Sequence, residues 1–310
     1  MMTSMKDICI HAFMVCGAAL TLTSCIRDDL QPCPPLTLNI GVLDKNYSNA
    51  ADLVFDDGVD IDERVSEDEP FAYYVPTLYY RLSRLNGDGS LAMVKERGVF
   101  TVEDDEKTVG VDFGNELPFG KYVFTVWGGI PDLSEFNADR TELSFHPDHA
   151  QGYDVYMTSD TICYDATHSS FESMLKRTKG KLIIYAEDVP RRIQFYGKNV
   201  DQLYGSVDTR FCYGDKTSVT THQERRGVGG ILTETFLTPS IKEDGSEVDV
   251  NFYDDYNLSH PDISPDDVDI TMRRNELTVL KYVYDKTDNV FHIYILINDN
   301  WEKVHNMNIE

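Results

Sequence analysis

The chain has 310 residues, of which 41% are hydrophobic and 11% aromatic, with 18 Tyr and 15 Phe. This is too apolar for a disordered chain, it favours residues that pack well in strands, and its length suits two domains of ordinary size. Lys and Arg number 28 against 53 Asp and Glu, so the formal charge is -25, a field that repels phosphate backbones and excludes nucleic acid as a partner.

In chain order, Lys6 precedes a weakly apolar stretch over residues 8–22 that leads into Leu22-Thr23-Ser24-Cys25. At about 15 residues, with His11 and Gly17 inside it, the stretch is short for a transmembrane helix and normal for the apolar region of a signal peptide. The segment resembles a bacterial lipoprotein signal peptide ending in a lipobox, and Met5 is an alternative start. The resemblance implies cleavage between Ser24 and Cys25, with diacylglycerol and a fatty acid attached covalently to Cys25; no other cofactor is expected. More than one acyl chain holds a protein stably to a membrane. Residues 1–24 are therefore assigned to the signal peptide and 25–35 to a lipidated tether. The charged run Ile26-Arg27-Asp28-Asp29 resembles the surface-export signal of Bacteroidota lipoproteins, which implies the outward face of the outer membrane.

Six cysteines occur, at positions 9, 16, 25, 33, 163 and 212. Two leave with the signal peptide and one is acylated, so Cys33, Cys163 and Cys212 remain. No CxxC spacing exists, and three thiols cannot close a four-ligand thiolate metal site. A single disulfide between Cys33 and Cys163 is expected, with Cys212 unpaired, because a domain boundary near Gly180 places the first two in one domain.

After the stiff Gln31-Pro32-Cys33-Pro34-Pro35 spacer, Leu36, Leu38, Ile40 and Val42 alternate with polar residues or Gly, which predicts a half-buried first strand. An acidic stretch follows over 56–69. Strand candidates then come at 78–85, through Met93 and Val94 after the Asn86-Gly87-Asp88-Gly89 turn, at 107–113, and at 121–129. In the last of these Tyr122, Phe124 and Val126 face one way and Val123, Thr125 and Trp127 the other, so both faces look buried. A basic cluster, Lys176, Arg177, Lys179 and Lys181, interrupts the acidic background, and the boundary is placed there, giving domains 36–178 and 179–310. Further strands are expected at 182–186, 192–196, 205–213, 231–237, 248–252, 277–284 and 290–297, with one short helix at 169–176. Many short strands broken by Gly, Pro and Asp predict an all-β chain of two tandem β-sandwiches.

Catalytic motifs are absent. There is no nucleophile elbow, phosphate-binding loop or His-Glu-x-x-His helix, so no enzyme and no metal site is expected. His146-Pro147-Asp148-His149 reads as a surface turn rather than a zinc site, and Asp262, Asp266, Asp267 and Asp269 read as a solvated loop without the calcium-loop pattern.

Three segments together carry a family resemblance: Cys25-Ile26-Arg27-Asp28-Asp29-Leu30-Gln31-Pro32-Cys33-Pro34, Leu117-Pro118-Phe119-Gly120-Lys121-Tyr122 leading to Trp127-Gly128-Gly129, and Arg274-Asn275-Glu276-Leu277. The chain resembles the FimB-type fimbrial anchor and minor-subunit lipoproteins of Bacteroidota. The resemblance implies two transthyretin-like β-sandwiches, no catalysis, and a role in fixing fimbriae to the outer membrane and limiting their length. Its implied partner is a fimbrial major subunit, engaged by strand exchange. Two alternatives share the sequence features. One is a tip or stalk subunit cut after an arginine such as Arg64, and the other is a surface glycan-binding lipoprotein using Trp127 and Trp301 as platforms.

Overall fold

The computed structural model describes residues 33–50, 64–103, 105–225, 227, 229–297 and 300–303. Ser24, Cys25 and the tether as far as residue 32 lie outside the described residues. Strands take up 51% of the described residues and helices 3%, and the strands are grouped in four sheets.

The first half supplies β1 (Thr37–Val42), β2 (Thr77–Leu85), β3 (Leu91–Thr101), β4 (Val109–Asp112), β5 (Gly120–Gly128), β6 (Glu142–Ser144), β7 (Tyr156–Tyr164) and β8 (Ser170–Arg177). Seven of them form one sheet in the order β3-β2-β5-β7-β8-β1-β4. The sheet turns at β8, which pairs with β7 only through Arg177 and Lys176 and otherwise runs parallel to β1 from Ser170 to Leu175. One core joins the two parts: Leu38 and Ile40 of β1 and Leu175 of β8 meet Tyr80 and Leu82 of β2 and Tyr122 and Phe124 of β5.

The second half supplies β9 (Gly180–Glu187), β10 (Phe195–Leu203), β11 (Ser206–Asp208), β12 (Tyr213–Gly214), β13 (Thr217–Glu224), β14 (Ile231–Leu237), β15 (Ser246–Tyr253), β16 (Val268–Ile270), β17 (Leu277–Asp285), β18 (Val290–Ile297) and β19 (Asn300–Lys303). The sheets β13-β10-β15-β16 and β14-β9-β17-β18-β19 enclose a second core built on Leu182, Ile184, Val200, Val248, Leu280 and Tyr282. In both halves the first strand pairs in parallel with a later one, β1 with β8 and β9 with β17. The architecture is a tandem of β-sandwiches.

A third sheet, β12-β11-β6, joins the halves, because Leu143 of β6 sits opposite Val207 of β11. It helps to close the outer face of β5. Trp127 there has no exposed surface and packs edge-on to Phe136 with ring centroids 5.3 Å apart. Tyr79, Leu143, Phe145, Met157 and Val207 complete this layer. Both faces of β5 are thus buried, each by different residues.

Four expectations about local structure change. The segment 169–176 is not a helix but most of β8, whose inward side carries Ser173, Leu175 and Arg177. The predicted strand at 205–213 is divided into β11 and β12, and the one at 192–196 begins only at Phe195. His146 is not in a surface turn: it is buried, with its backbone in the left-handed region at φ 56°.

Gly129 shows how tightly the chain is held after β5. Its φ is +77°, and a Cβ added there would lie 2.1 Å from the Asp154 carbonyl oxygen. Gly129→Ala is expected to lower unfolding stability by about 2 to 4 kcal/mol, from backbone strain together with that clash. A urea titration giving the wild-type midpoint would contradict this account of the turn.

Candidate functional site

Two features converge where the first strand ends: the slot that holds β1, and the joint between the halves. β1 lies between β8, parallel, and β4, antiparallel, with Leu38 opposite Val111. Leu36, Leu38 and Ile40 are fully buried and Val42 nearly so. Each contributes about 1.5 to 3 kcal/mol by removal from water. The backbone is tied in at both ends. Leu36 N–H donates to Gly114 O at 2.9 Å, Thr37 N–H to Ser169 O at 2.8 Å, and Leu43 N–H to Leu175 O at 2.8 Å.

Immediately beyond β1 the chain enters the joint. Asp44 Oδ2 accepts from the backbone N–H of Arg177 at 2.9 Å and from Arg274 Nη1 at 2.6 Å. The Arg177 side chain is buried. It donates from Nε to Asp154 at 2.8 Å, from Nη1 to Asn275 Oδ1 at 2.8 Å, and from Nη2 to the Tyr156 hydroxyl, while its guanidinium lies 4.1 Å from the Tyr47 ring centroid. Burial alone would push Arg177 down, but Asp154 and the phenols of Tyr156 and Tyr47 more than offset this and hold it above the usual arginine range. Ser48 and Asn49 continue the joint: Ser48 N–H donates to Asn275 O at 2.8 Å, Asn49 Nδ2 to Leu277 O at 2.9 Å, and Leu277 N–H to Asn49 Oδ1 at 2.8 Å. Tyr47 and Ala50 pack with Ile183, Leu277, Val279 and Leu296 of the second half.

Two further titratable groups are buried nearby. Burial brings the Lys179 ammonium down to about 8, with Asp154 and Glu135 opposing, and Lys179 Nζ donates to Gln151 O at 3.2 Å. His146 is pushed down to about 3 by burial, and the positive charge of Lys179 adds to the shift. Its Nδ1 is 2.9 Å from Ala150 O, and its Nε2 accepts from Thr238 N–H at 3.4 Å. His149 turns elsewhere, to the Ser218 hydroxyl at 2.9 Å, so the two imidazoles do not converge.

The expected disulfide is not formed. Cys33, Cys163 and Cys212 are free thiols. Strand alternation is the reason: Tyr164 of β7 points inward and donates its hydroxyl proton to Pro34 O at 2.6 Å, on the side where Cys33 lies, which sends Cys163 to the exposed face. Trp127 is fully buried and cannot serve as a glycan platform; the Trp301 side chain lies outside the described residues. Among the described residues no group of three or more His, Cys, Asp or Glu side chains is arranged to hold a metal ion, and no helix is long and apolar enough to cross a membrane. Of the acidic loop, Asp262 pairs with Arg192 at 2.7 Å, and Asp267 is raised by burial and by neighbouring carboxylates.

The joint was not predicted as a site. Its sequence signal was the basic cluster around Gly180, which reads as charge on an acidic background and not as buried side chains.

No family model matches the chain, and no curated protein matches it in sequence. Solved structures do share its fold. The fimbrial anchor protein Mfa2 from Porphyromonas gingivalis is 14% identical, with a TM-score of 0.51 over 88% of this chain and 100% of that one. A candidate adhesin from Bacteroides ovatus is 12% identical, with a TM-score of 0.52 over 91% of this chain and 98% of that one. A candidate polysaccharide-binding protein from Bacteroides thetaiotaomicron is 10% identical, with a TM-score of 0.55 over 88% of this chain and 99% of that one. At these identities the likeness is one of fold.

Two outcomes are expected from this geometry. Ile40→Asp puts a carboxylate into the first core at a desolvation cost of several kcal/mol, so β1 should detach and backbone amides 37–42 should lose hydrogen-exchange protection; unchanged protection would refute the burial assigned to this row. Acid provides the second. The unfolded chain protonates His146 near 6.5, whereas the folded chain keeps it neutral down to about 3, so stability falls as pH drops through that window. His146→Gln should flatten that part of the stability profile between pH 6.5 and 3. An unaltered slope would place the titration elsewhere.

Proposed function

We propose that the chain is an outer-membrane lipoprotein, held by lipid on Cys25, that anchors a fimbrium at the cell surface and limits its length. The observation that carries this reading is the filled first-strand slot. An open sheet edge is a template for a strand from another subunit, and in this chain β1 occupies that place with its apolar row fully buried. A subunit that keeps its lipid must also keep β1, since both lie on the same side of any cut in the segment before Arg64. Such a subunit offers no empty slot, and growth ends at it. The partner on this reading is a fimbrial major subunit. The shared fold with the fimbrial anchor protein Mfa2 supports the same assignment.

A tip or stalk subunit is the second reading, and one observation favours it. Arg64 is exposed, and a cut after it would take away the lipid and β1 together.

Mass spectrometry of the protein taken from native membranes separates the two. The anchor reading expects a chain beginning at acylated Cys25, and Cys25→Ala is expected to move the folded protein out of the membrane fraction. A native N-terminus at Val65 would overturn the anchor reading in favour of the tip or stalk subunit. Retention of Cys25→Ala in the membrane pellet would overturn the lipid assignment.

A further inference from the structure

The slot between β4 and β8 is not all that holds the first strand. Residues 44–50 leave β1 and run directly into the second half, where they make contacts of a different kind from those in the sheet. Asp44 bridges the Arg177 backbone and the Arg274 guanidinium. Asn49 completes a reciprocal pair of hydrogen bonds with the backbone of Leu277, the first residue of β17. Ser48 donates twice to Asn275 O, from its backbone at 2.8 Å and from its hydroxyl at 3.0 Å. Tyr47 is buried with its ring under the Arg177 guanidinium, and it and Ala50 cluster with the apolar side chains Ile183, Leu277, Val279 and Leu296. Asn275 itself takes a left-handed φ of 57°, which lets its N–H donate to Lys179 O while its carbonyl faces Ser48.

We infer that the second half is an intramolecular clamp on the first strand: residues 44–50 bind the ledge formed by Arg274, Asn275 and Leu277, so β1 leaves its slot only when this ledge is also released. The sheet grips β1 through aliphatic burial and ladder hydrogen bonds, and the ledge grips residues 44–50 through charge, amide pairing and an aromatic ring. A strand that must break both sets at once leaves far more slowly than one that breaks the first alone. The inference deepens the anchor reading, on which retention of β1 is what ends growth, but the clamp is a property of the purified chain and is measured without fimbriae.

The test uses the full chain with a site-specific protease sequence inserted between Asp57 and Gly58. After cutting, the N-terminal fragment is expected to stay with the rest of the protein through gel filtration, and Asn49→Ala/Arg274→Ala is expected to release it at least tenfold faster. Lys286→Ala, which removes an exposed pair with Asp188, serves as the control and should release at the wild-type rate. Equal rates for the double variant and the wild type would overturn the clamp. A second arm needs no variant. With the cut wild-type protein kept as the intact complex, a labelled peptide of residues 34–50 should compete the fragment out at a concentration at least tenfold lower than one of residues 34–43; equal competition would likewise overturn it. Either result leaves the anchor reading to be decided separately, by the native N-terminus.

Discussion

A buried arginine needs partners on every side, and Arg177 draws its partners from several of the segments that meet between the two halves. Taking a guanidinium out of water costs several kcal/mol, and removing one partner of such a charge typically costs about 3 to 5 kcal/mol. Asp154 supplies the countercharge, Asn275 and Tyr156 take the remaining donors, and Tyr47 covers the face. These residues come from the connection before β7, the turn before β17, β7 itself and the segment after β1. Satisfying one side chain therefore sets the placement of three stretches of chain, 154–156, 275 and 47, relative to β8. Asp44 extends the set by accepting from the Arg177 backbone and from Arg274 together.

The same constraint accounts for the odd charge distribution. On a chain of formal charge -25, the cations Arg177, Lys179 and Lys181 are gathered in or next to the joint, with little surface exposed. A buried ammonium such as Lys179 is disfavoured by desolvation, which is why it titrates low. What the arrangement provides is orientation: Asp154 and Glu135 face it, and the Phe145 ring centroid lies 5.0 Å from its Nζ. The three-stranded sheet through β6 and β11 then closes the outer face of β5, so Trp127 becomes core although its strand belongs to the first half alone.

Many of the strand positions could be read from alternation. Residues 231–237 and 290–297 match β14 and β18, and the row Leu36, Leu38, Ile40, Val42 is the buried side of β1 and the residue before it. Reading fails where the inward side is polar. β8 looks helical because Phe171, Met174 and Leu175 fall at spacings of three and four, while its buried positions are Ser173, Leu175 and Arg177. Ser173 is satisfied by Asp160 at 2.5 Å and Arg177 by the joint, partners invisible until the chain is folded. β13 has only Val219 buried, and its polar edge gives no period. Two of the three segments that carried the family resemblance have structural work among the described residues: Tyr122 donates to Pro118 O at 2.5 Å and Gly129 turns the chain against Asp154 in one, and Arg274, Asn275 and Leu277 of the other form the ledge under residues 44–50.

Retention of the first strand is then a question of connectivity more than of contacts. While β1 is joined to the rest of its chain, it competes for its slot at the effective concentration of a tethered segment, on the order of millimolar for a short flexible link. Any competing strand, arriving at its own bulk concentration, would have to displace that tethered competitor and also the contacts of Asp44, Tyr47, Ser48 and Asn49 with the second half. A cut between residue 50 and Val65 removes no described contact of β1 itself, but it ends the tethering and turns a standing occupant into a ligand that can dissociate. On the anchor reading proposed above the chain before Val65 stays whole and β1 stays in place, whereas on the tip or stalk reading a cut there would free the slot, so the two readings differ in connectivity and not in fold.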